Sequence, residues 1–360
     1  MRRPLSLLLL LASLNVVSAG ELLEKIQTPP VHSPDAPQLS PLLKNSNGRN
    51  ITTKSQWLEQ REVLKQQWQN FMGEFPKRKA PLKTEVLAKE DFPEFTREHV
   101  EYQIEDGVFT DGYLLTPKTQ QKKFPAIVVF HPTTPFQARG VAGLEPDYAE
   151  EKRQGIQLVQ RSYVVWCPRN FIFDEGTGAK PNAEMWTANA KRVQERHPKW
   201  TAMARMTFDA IRAADFLESL PNVDKNRIGC IGHSLGGKMA LYAPAFDERY
   251  KASVSSEGGI GLKFSNWDAL WYLGPKIKEP KFSLENHQVL SLIAPRAFLL
   301  LAGDSADSDK SWAFIEAAMP VYKLFGATAN LGWFNHHQGH RYSPEAREIA
   351  ETFLDAHLKK

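Results

Sequence analysis

The sequence predicts an α/β fold: one mostly parallel, doubly wound sheet flanked by helices, with insertions at its rim. Three observations carry this. Short apolar runs alternate with helical patterns from about Glu98 to the carboxyl end, as expected when strands and crossover helices alternate. One of those runs, Ala126 to Phe130, is apolar throughout, which suits a strand covered on both faces. A third run, Arg227 to Ile231, leads directly into Gly232-His233-Ser234-Leu235-Gly236-Gly237 and then a small-residue helical pattern through Met239, Ala240, Leu241 and Ala243.

The elements follow in order. The amino end reads Met1-Arg2-Arg3, an apolar run from Leu5 to Val17, then Val17-Ser18-Ala19. A charged start, an apolar stretch too short to span a bilayer and a small-x-small site predict a secretory signal over residues 1–19. Residues 20–53 are rich in Pro, Ser and Asn without periodicity and read as an extended lead-in. The domain proper is expected over 54–360. It opens with a helix from Lys54 to about Met72, with Trp57, Val63, Leu64, Trp68 and Phe71 along one stripe. The two tryptophans read as packing anchors.

Strands are expected at Val100 to Ile104, Gly112 to Leu115, Ala126 to Phe130, Tyr163 to Cys167, the run before Ser234, Ala252 to Ser256, Ala297 to Ala302 and Asn330 to Phe334. Helices are expected around Tyr148 to Arg161, Thr201 to Leu220, after Ser234, Ser311 to Phe325 and Pro344 to Leu358. Two connections are long, about Phe171 to Lys199 and Gly258 to Ala294. Connections of that length are usually functional, and both leave the carboxyl ends of strands, the rim where open α/β sheets bind ligands. Their aromatics, among them Phe173, Trp186, Trp271 and Tyr272, either line a pocket or form a small core of their own.

Composition narrows the classes. The formal charge is +4, or +2 without Arg2 and Arg3, too small to argue for nucleic acid. No segment after the leader is long and apolar enough to span a membrane. The chain has two cysteines, Cys167 and Cys230, each ending an expected strand, and they are read as two buried thiols. No Cys/His spacing suits zinc.

Strand, glycine-flanked serine and helix form the sequence signature of a nucleophile elbow. Glycines two residues before and after Ser234 let strand and helix pass closely while the hydroxyl stays exposed. A serine hydroxyl needs a base in contact and an acid to orient that base. His340, after Gly339 and before the last helix, is the expected base; His336 reads as a loop-stabilising neighbour and His337 as solvated. For the acid, Asp307 leads because it lies a full turn past a strand end. Asp304, Asp309 and Glu257 remain alternatives. The expected oxyanion donors are the N–H of Leu235 and that of Thr133, with Thr134 as alternative, since Pro132 has no N–H. No cofactor is required.

With these residues in view, the chain resembles the α/β-hydrolase superfamily, in the branch of dienelactone hydrolases and acetyl xylan esterase-like proteins. The resemblance covers about Glu98 to Leu358 and rests on His131-Pro132, Asp224 to Ile228, Gly232 to Gly237, Gly303 to Asp307 and Gly339-His340. It implies the Ser234, Asp307, His340 assignment and hydrolysis of a small-molecule or carbohydrate ester by a secreted or periplasmic enzyme. Two departures stand out: serine replaces the cysteine nucleophile of dienelactone-cleaving members, and His-Pro-Thr replaces His-Gly-Gly. The alternatives are an exported prolyl-oligopeptidase-like peptidase, disfavoured because no propeller-sized domain precedes, and a catalytically silent binding protein on the same scaffold.

Overall fold

The computed structural model describes residues 19–359, apart from 32, 34, 46, 77–79 and 175–181; the expected signal over residues 1–19 lies outside them but for Ala19. Nine strands form one sheet: β1 (Glu85–Asp91), β2 (Phe95–Glu105), β3 (Val108–Pro117), β4 (Phe124–Phe130), β5 (Val164–Pro168), β6 (Val223–His233), β7 (Tyr250–Ser256), β8 (Ala297–Ala302) and β9 (Leu331–Asn335). Their spatial order is β1-β2-β3-β5-β4-β6-β7-β8-β9. From β5 to β9 every pairing is parallel, and β1, β2 and β3 add an antiparallel edge.

Alternation along β4 shows why the interior strands read as unbroken apolar runs. Ala126, Val128 and Phe130 enter one core, while Ile127 and Val129 enter the other. Side chains of successive strand residues point to opposite faces, so a strand roofed on both sides has no position left for polar residues. The first core is covered by α6 (Ala202–Ser219), α7 (Leu235–Phe246), α8 (Asn286–Ile293) and α9 (Trp312–Phe325), with α2 (Lys54–Met72) outside them. The second is covered by α1 (Ala19–Gln27), α3 (Gln137–Val141), α4 (Gln154–Gln160) and α10 (Pro344–Leu358).

The expected α2 forms, with Thr53 and Gln56 in a reciprocal capping box. Trp57 and Trp68 are fully buried, and Trp68 meets Tyr242 of α7 edge-on at 5.8 Å. The packing reading of both tryptophans therefore matches their surroundings. Cys167 and Cys230 are buried free thiols, but on strands separated by β4 rather than adjacent ones.

Three helices depart from the sequence reading, and β1 and α3 form where no element was expected. The lead-in starts as a helix, α1, because Leu22 and Ile26, four residues apart, bury together on the sheet edge. Gln27 fixes its end by donating to the carbonyls of Thr328 and Leu331. The first long connection contains α5 (Ala183–Arg196), capped by Asn182. The second contains α8, whose Glu285 and Gln288 form a capping box. Both caps are local signals that the surrounding Pro- and Gly-rich sequence masks.

Candidate active site

β6 ends at His233 and α7 starts at Leu235, leaving Ser234 alone at the turn with φ 59 and ψ −117. A non-glycine residue there is strained. The strain persists because its surroundings determine it: the Ser234 N–H donates to the Ser256 carbonyl at 2.8 Å, and the Ser234 carbonyl accepts from Lys238 at 3.1 Å. Every residue of α7 is buried, so the helix cannot swing away to relieve the turn. Ser234 itself is half-buried.

Close approach explains the glycines. A Cβ on Gly232 would lie 2.3 Å from the Gly236 carbonyl, and one on Gly236 would lie 1.9 Å from the carbonyl oxygen of Phe130. Gly236→Ala is therefore expected to destabilise the fold by about 3 kcal/mol, since backbone rather than a side-chain tip must move. A shift of the urea midpoint measures it, and an unchanged midpoint contradicts this packing.

Glu257 follows β7 immediately, with φ 50. Its side chain has no exposed surface. One carboxylate oxygen accepts from Gly303 N–H at 2.5 Å; the other accepts from Ala306 N–H at 2.8 Å and lies 3.1 Å from His340 Nδ1. A carboxylate held by two backbone donors only accepts, so the imidazole carries its proton on Nδ1 and leaves Nε2 as the basic nitrogen. His340 is 43% exposed at its side chain, so that nitrogen is reachable from the rim. The histidine loop is fixed by Gly339 N–H donating to the Gly303 carbonyl.

The expected acid, Asp307, is elsewhere engaged. Its oxygens accept from Gly259 N–H and Ile260 N–H, both at 2.7 Å, and from Ser311 Oγ at 2.9 Å. Burial raises its pKa above the ordinary carboxylate range, and neighbouring Glu257 adds to the rise. Asp307 thus turns inward to backbone amides, and the carboxylate beside His340 Nδ1 is that of Glu257. The two acids form a reciprocal exchange. Glu257, after β7, takes amides of the loop after β8, while Asp307, from that loop, takes amides of the loop after β7.

Asp304 accepts from Asn335 Nδ2 at 2.7 Å and pairs with His337 Nδ1, also at 2.7 Å; Asp309 accepts from the same Asn335 amide at 2.8 Å. Asp304, Asp309 and His337 are the one set of metal-ligand type among the described residues, and the Asn335 amide donates to one oxygen of each carboxylate. His336 donates from Nε2 to the Arg341 carbonyl and accepts Gln338 N–H at Nδ1. His336 thus stitches its own loop together, and His337 lies on the surface.

Lys238, one turn into α7, is buried and donates to the Gly258 carbonyl and to Ser265 Oγ, the latter at 3.0 Å. Its ammonium lies 4.6 Å from the Trp267 ring centre. Burial lowers its pKa to about 7, against the pull of Asp307 and Glu257. It ties the residue after Glu257 to the nucleophile helix. His233, beside the nucleophile, hydrogen-bonds Ser256 Oγ through Nδ1 and lies 4.7 Å from His340, ring to ring. Burial, then the neighbouring His340, keeps it neutral.

On the oxyanion side, Leu235 opens α7, so its N–H has no carbonyl one turn back. Thr133 follows β4 and His131-Pro132, half-buried, with its side chain against the Tyr272 hydroxyl. Thr134 accepts Phe136 N–H at Oγ1 and Gln137 N–H at its carbonyl, bonds that do not use its own N–H. An edge-to-edge series, Phe173–Trp186 at 6.0 Å, Trp186–Trp271 at 5.4 Å and Trp271–Tyr272 at 6.2 Å, joins the two insertions across the rim. These aromatics therefore belong to the main core, with Phe173 and Tyr272 inside it and Trp186 and Trp271 packed against it, rather than forming two separate cores.

His131 is buried, with Nδ1 bonded to the Pro132 carbonyl and Nε2 accepting Asn170 N–H. Burial lowers its pKa to about 4, and burial does the same to His287, which hydrogen-bonds Ser40 of the lead-in. The unfolded value is about 6.5, so between pH 6.5 and 4 the unfolded chain binds the extra proton. The stabilisation is whole above pH 6.5 and is lost as pH falls toward 4. Asp209, raised by burial to about 6, acts in the opposite sense below that pH. His287→Gln should therefore lose roughly 1–2 kcal/mol less stability than the parent chain between pH 7 and 5, read by chemical denaturation at each pH. Equal losses contradict a neutral His287.

A mostly parallel sheet covered on both faces, with a strained serine between β6 and a buried helix, is the α/β-hydrolase fold. Residues 110–279 match the dienelactone hydrolase family model. YtaP of Bacillus subtilis (strain 168) is 27% identical over 241 residues, covering 65% of this chain and 77% of its own. The 4-O-methyl-glucuronoyl methylesterase 1 of Sodiomyces alcalophilus is 27% identical over 166 residues, but these are 37% of this chain and only 32% of the relative. Among solved structures, a glucuronoyl esterase from Solibacter usitatus superposes with a TM-score of 0.64 at 18% identity, covering 89% of this chain and all of that one.

Proposed function

We propose that the chain is an exported carbohydrate esterase that hydrolyses carboxylic esters of uronic acids through Ser234, His340 and Glu257. The observation that carries this is the fully buried Glu257 carboxylate, pinned by two backbone amides and paired with Nδ1 of His340, whose Nε2 has no hydrogen-bond partner among the described residues. His340 Nε2 takes the Ser234 proton as Oγ attacks the ester carbonyl. The N–H groups of Leu235 and Thr133 face the developing oxyanion. The collapsing intermediate expels the alcohol, which takes the proton from His340. Water, deprotonated by His340, then releases the acid from the acyl-enzyme.

The substrate class is supported by the Sodiomyces relative and by the fold shared with glucuronoyl esterases. The half-buried Trp186 and Trp271 suit a sugar, since indole rings stack on the apolar faces of pyranoses. A panel of methyl glucuronate, acetylated xylo-oligosaccharides and aryl acetates tests the reading, together with labelling by a fluorophosphonate. Labelling that depends on Ser234 and turnover led by methyl glucuronate are expected. Failure to label overturns the catalytic assignment, and turnover led by acetyl esters overturns the uronate assignment.

A further inference from the structure

We infer that the same rim carries a second polar subsite, which binds the free carboxylate of an acidic sugar at a distance from the ester. The inference rests on the carbohydrate-esterase reading and adds a ligand to it. A cavity of about 440 Å³ is lined by Asp111, Tyr113, Gln137, Ala138, Arg139 and Arg169. Arg169 directly follows β5, and Gln137 to Arg139 belong to α3, which ends the stretch that leaves β4 at His131. Since β4 and β5 are the first and second strands beyond β6, the cavity lies two to three strand spacings, about 10–15 Å, from the elbow. That is a span of two or three sugars along a chain rather than of groups on one sugar.

The chemistry of the lining sets the ligand. Asp111 is spent: His99 Nε2 reaches one oxygen at 2.8 Å and Arg169 Nε the other at 2.5 Å. Arg169 Nη1 donates to Asp174, while among the described residues its Nη2 donates to none. Arg139 donates from Nε to Glu145 at 2.5 Å and otherwise faces the Tyr113 hydroxyl, with half of its side chain exposed. The Tyr113 ring is held by stacking on His99 at 4.9 Å. Gln137 is kept at φ 49, a strained conformation for a side-chain-bearing residue, at the wall of the cavity.

What remains for a visitor is donors, namely Arg169 Nη2, the outer nitrogens of Arg139, a phenol and an amide, since Asp111, Asp174 and Glu145 are each already held by one of the two guanidiniums. A neutral sugar needs donors and acceptors in balance. A carboxylate needs donors alone, and guanidinium groups match it in pairs.

Calorimetric titration of the full chain with trigalacturonate, xylotriose and sodium acetate tests this. Trigalacturonate is expected to bind at least about tenfold tighter than xylotriose, the effect of one charge-assisted contact, and acetate alone to bind far more weakly. Arg139→Glu, at a half-exposed position, should abolish the preference for the acidic trisaccharide, and Arg139→Lys should keep part of it. Equal affinity for the two trisaccharides, or an unchanged preference in Arg139→Glu, overturns the subsite. Acetate binding as tightly as trigalacturonate overturns its assignment to a sugar. Fluorophosphonate labelling run alongside separates the two readings: a chain that labels but shows no preference loses only this subsite, and one that does not label loses the esterase reading.

Discussion

Ser234→Ala is expected to lower kcat about 10⁶-fold, as loss of a triad nucleophile does elsewhere, with KM changed far less. The size follows from what is left behind. Without Oγ, His340 has no proton to take from the enzyme, and the site can only bind the ester and polarise its carbonyl through backbone amides. The substitution should leave the fold intact, because Ser234 contributes its turn through backbone hydrogen bonds to Ser256 and Lys238 rather than through its side chain. Alanine tolerates φ 59 no better than serine, so the strain is shared by both forms. Steady-state kinetics on methyl glucuronate with a matched denaturation curve gives the answer. A variant that retains most of its turnover removes Ser234 from the chemistry.

Glu257→Gln comes next, at about 10⁴-fold in kcat, the cost of losing the negative charge that fixes the tautomer and steadies the imidazolium. Asp307→Asn is expected to cost no more than about 10²-fold, because Asp307 touches the Gly259 and Ile260 amides and not the imidazole. The contrast between the two is the measurement. Both acids are buried, and both amide replacements turn one accepting oxygen into a donor facing backbone N–H groups, so each also loses stability. Structural damage should therefore be similar, and the excess loss in Glu257→Gln reports the contact with His340. If Asp307→Asn is the worse of the two in kcat, the geometry around His340 does not describe the working enzyme.

Much of this molecule is written in its sequence. Unbroken apolar runs and small-residue helices announce the doubly wound sheet, because burial on both faces leaves no other composition for β4, β5 and β8. The elbow is legible for a steric reason: a Cβ on Gly232 or Gly236 would lie 2.3 or 1.9 Å from neighbouring backbone, and a demand of that kind admits one residue. The orienting acid is less legible. Glu257 and Asp307 are both buried carboxylates at strand ends, and which one faces His340 depends on a positive φ at Glu257 that sequence does not print. Its signals are weak ones, a carboxylate closing an apolar strand and two glycines after it. The edge strand β1 is hidden for the opposite reason: every residue of it is exposed, so it shows no alternation to read.

The crossed carboxylates at the ends of β7 and β8 have a consequence for how the enzyme meets its substrate. Each loop is locked by the other's acid, so neither can stray without freeing two amides in its neighbour. The imidazole therefore hangs from a frame that is closed before any ester arrives, and its aim is settled when the chain folds. Rigidity of this sort makes the pair of loops a single cooperative part. Heat or a mutation that loosens one should silence turnover while the rest of the sheet is still standing.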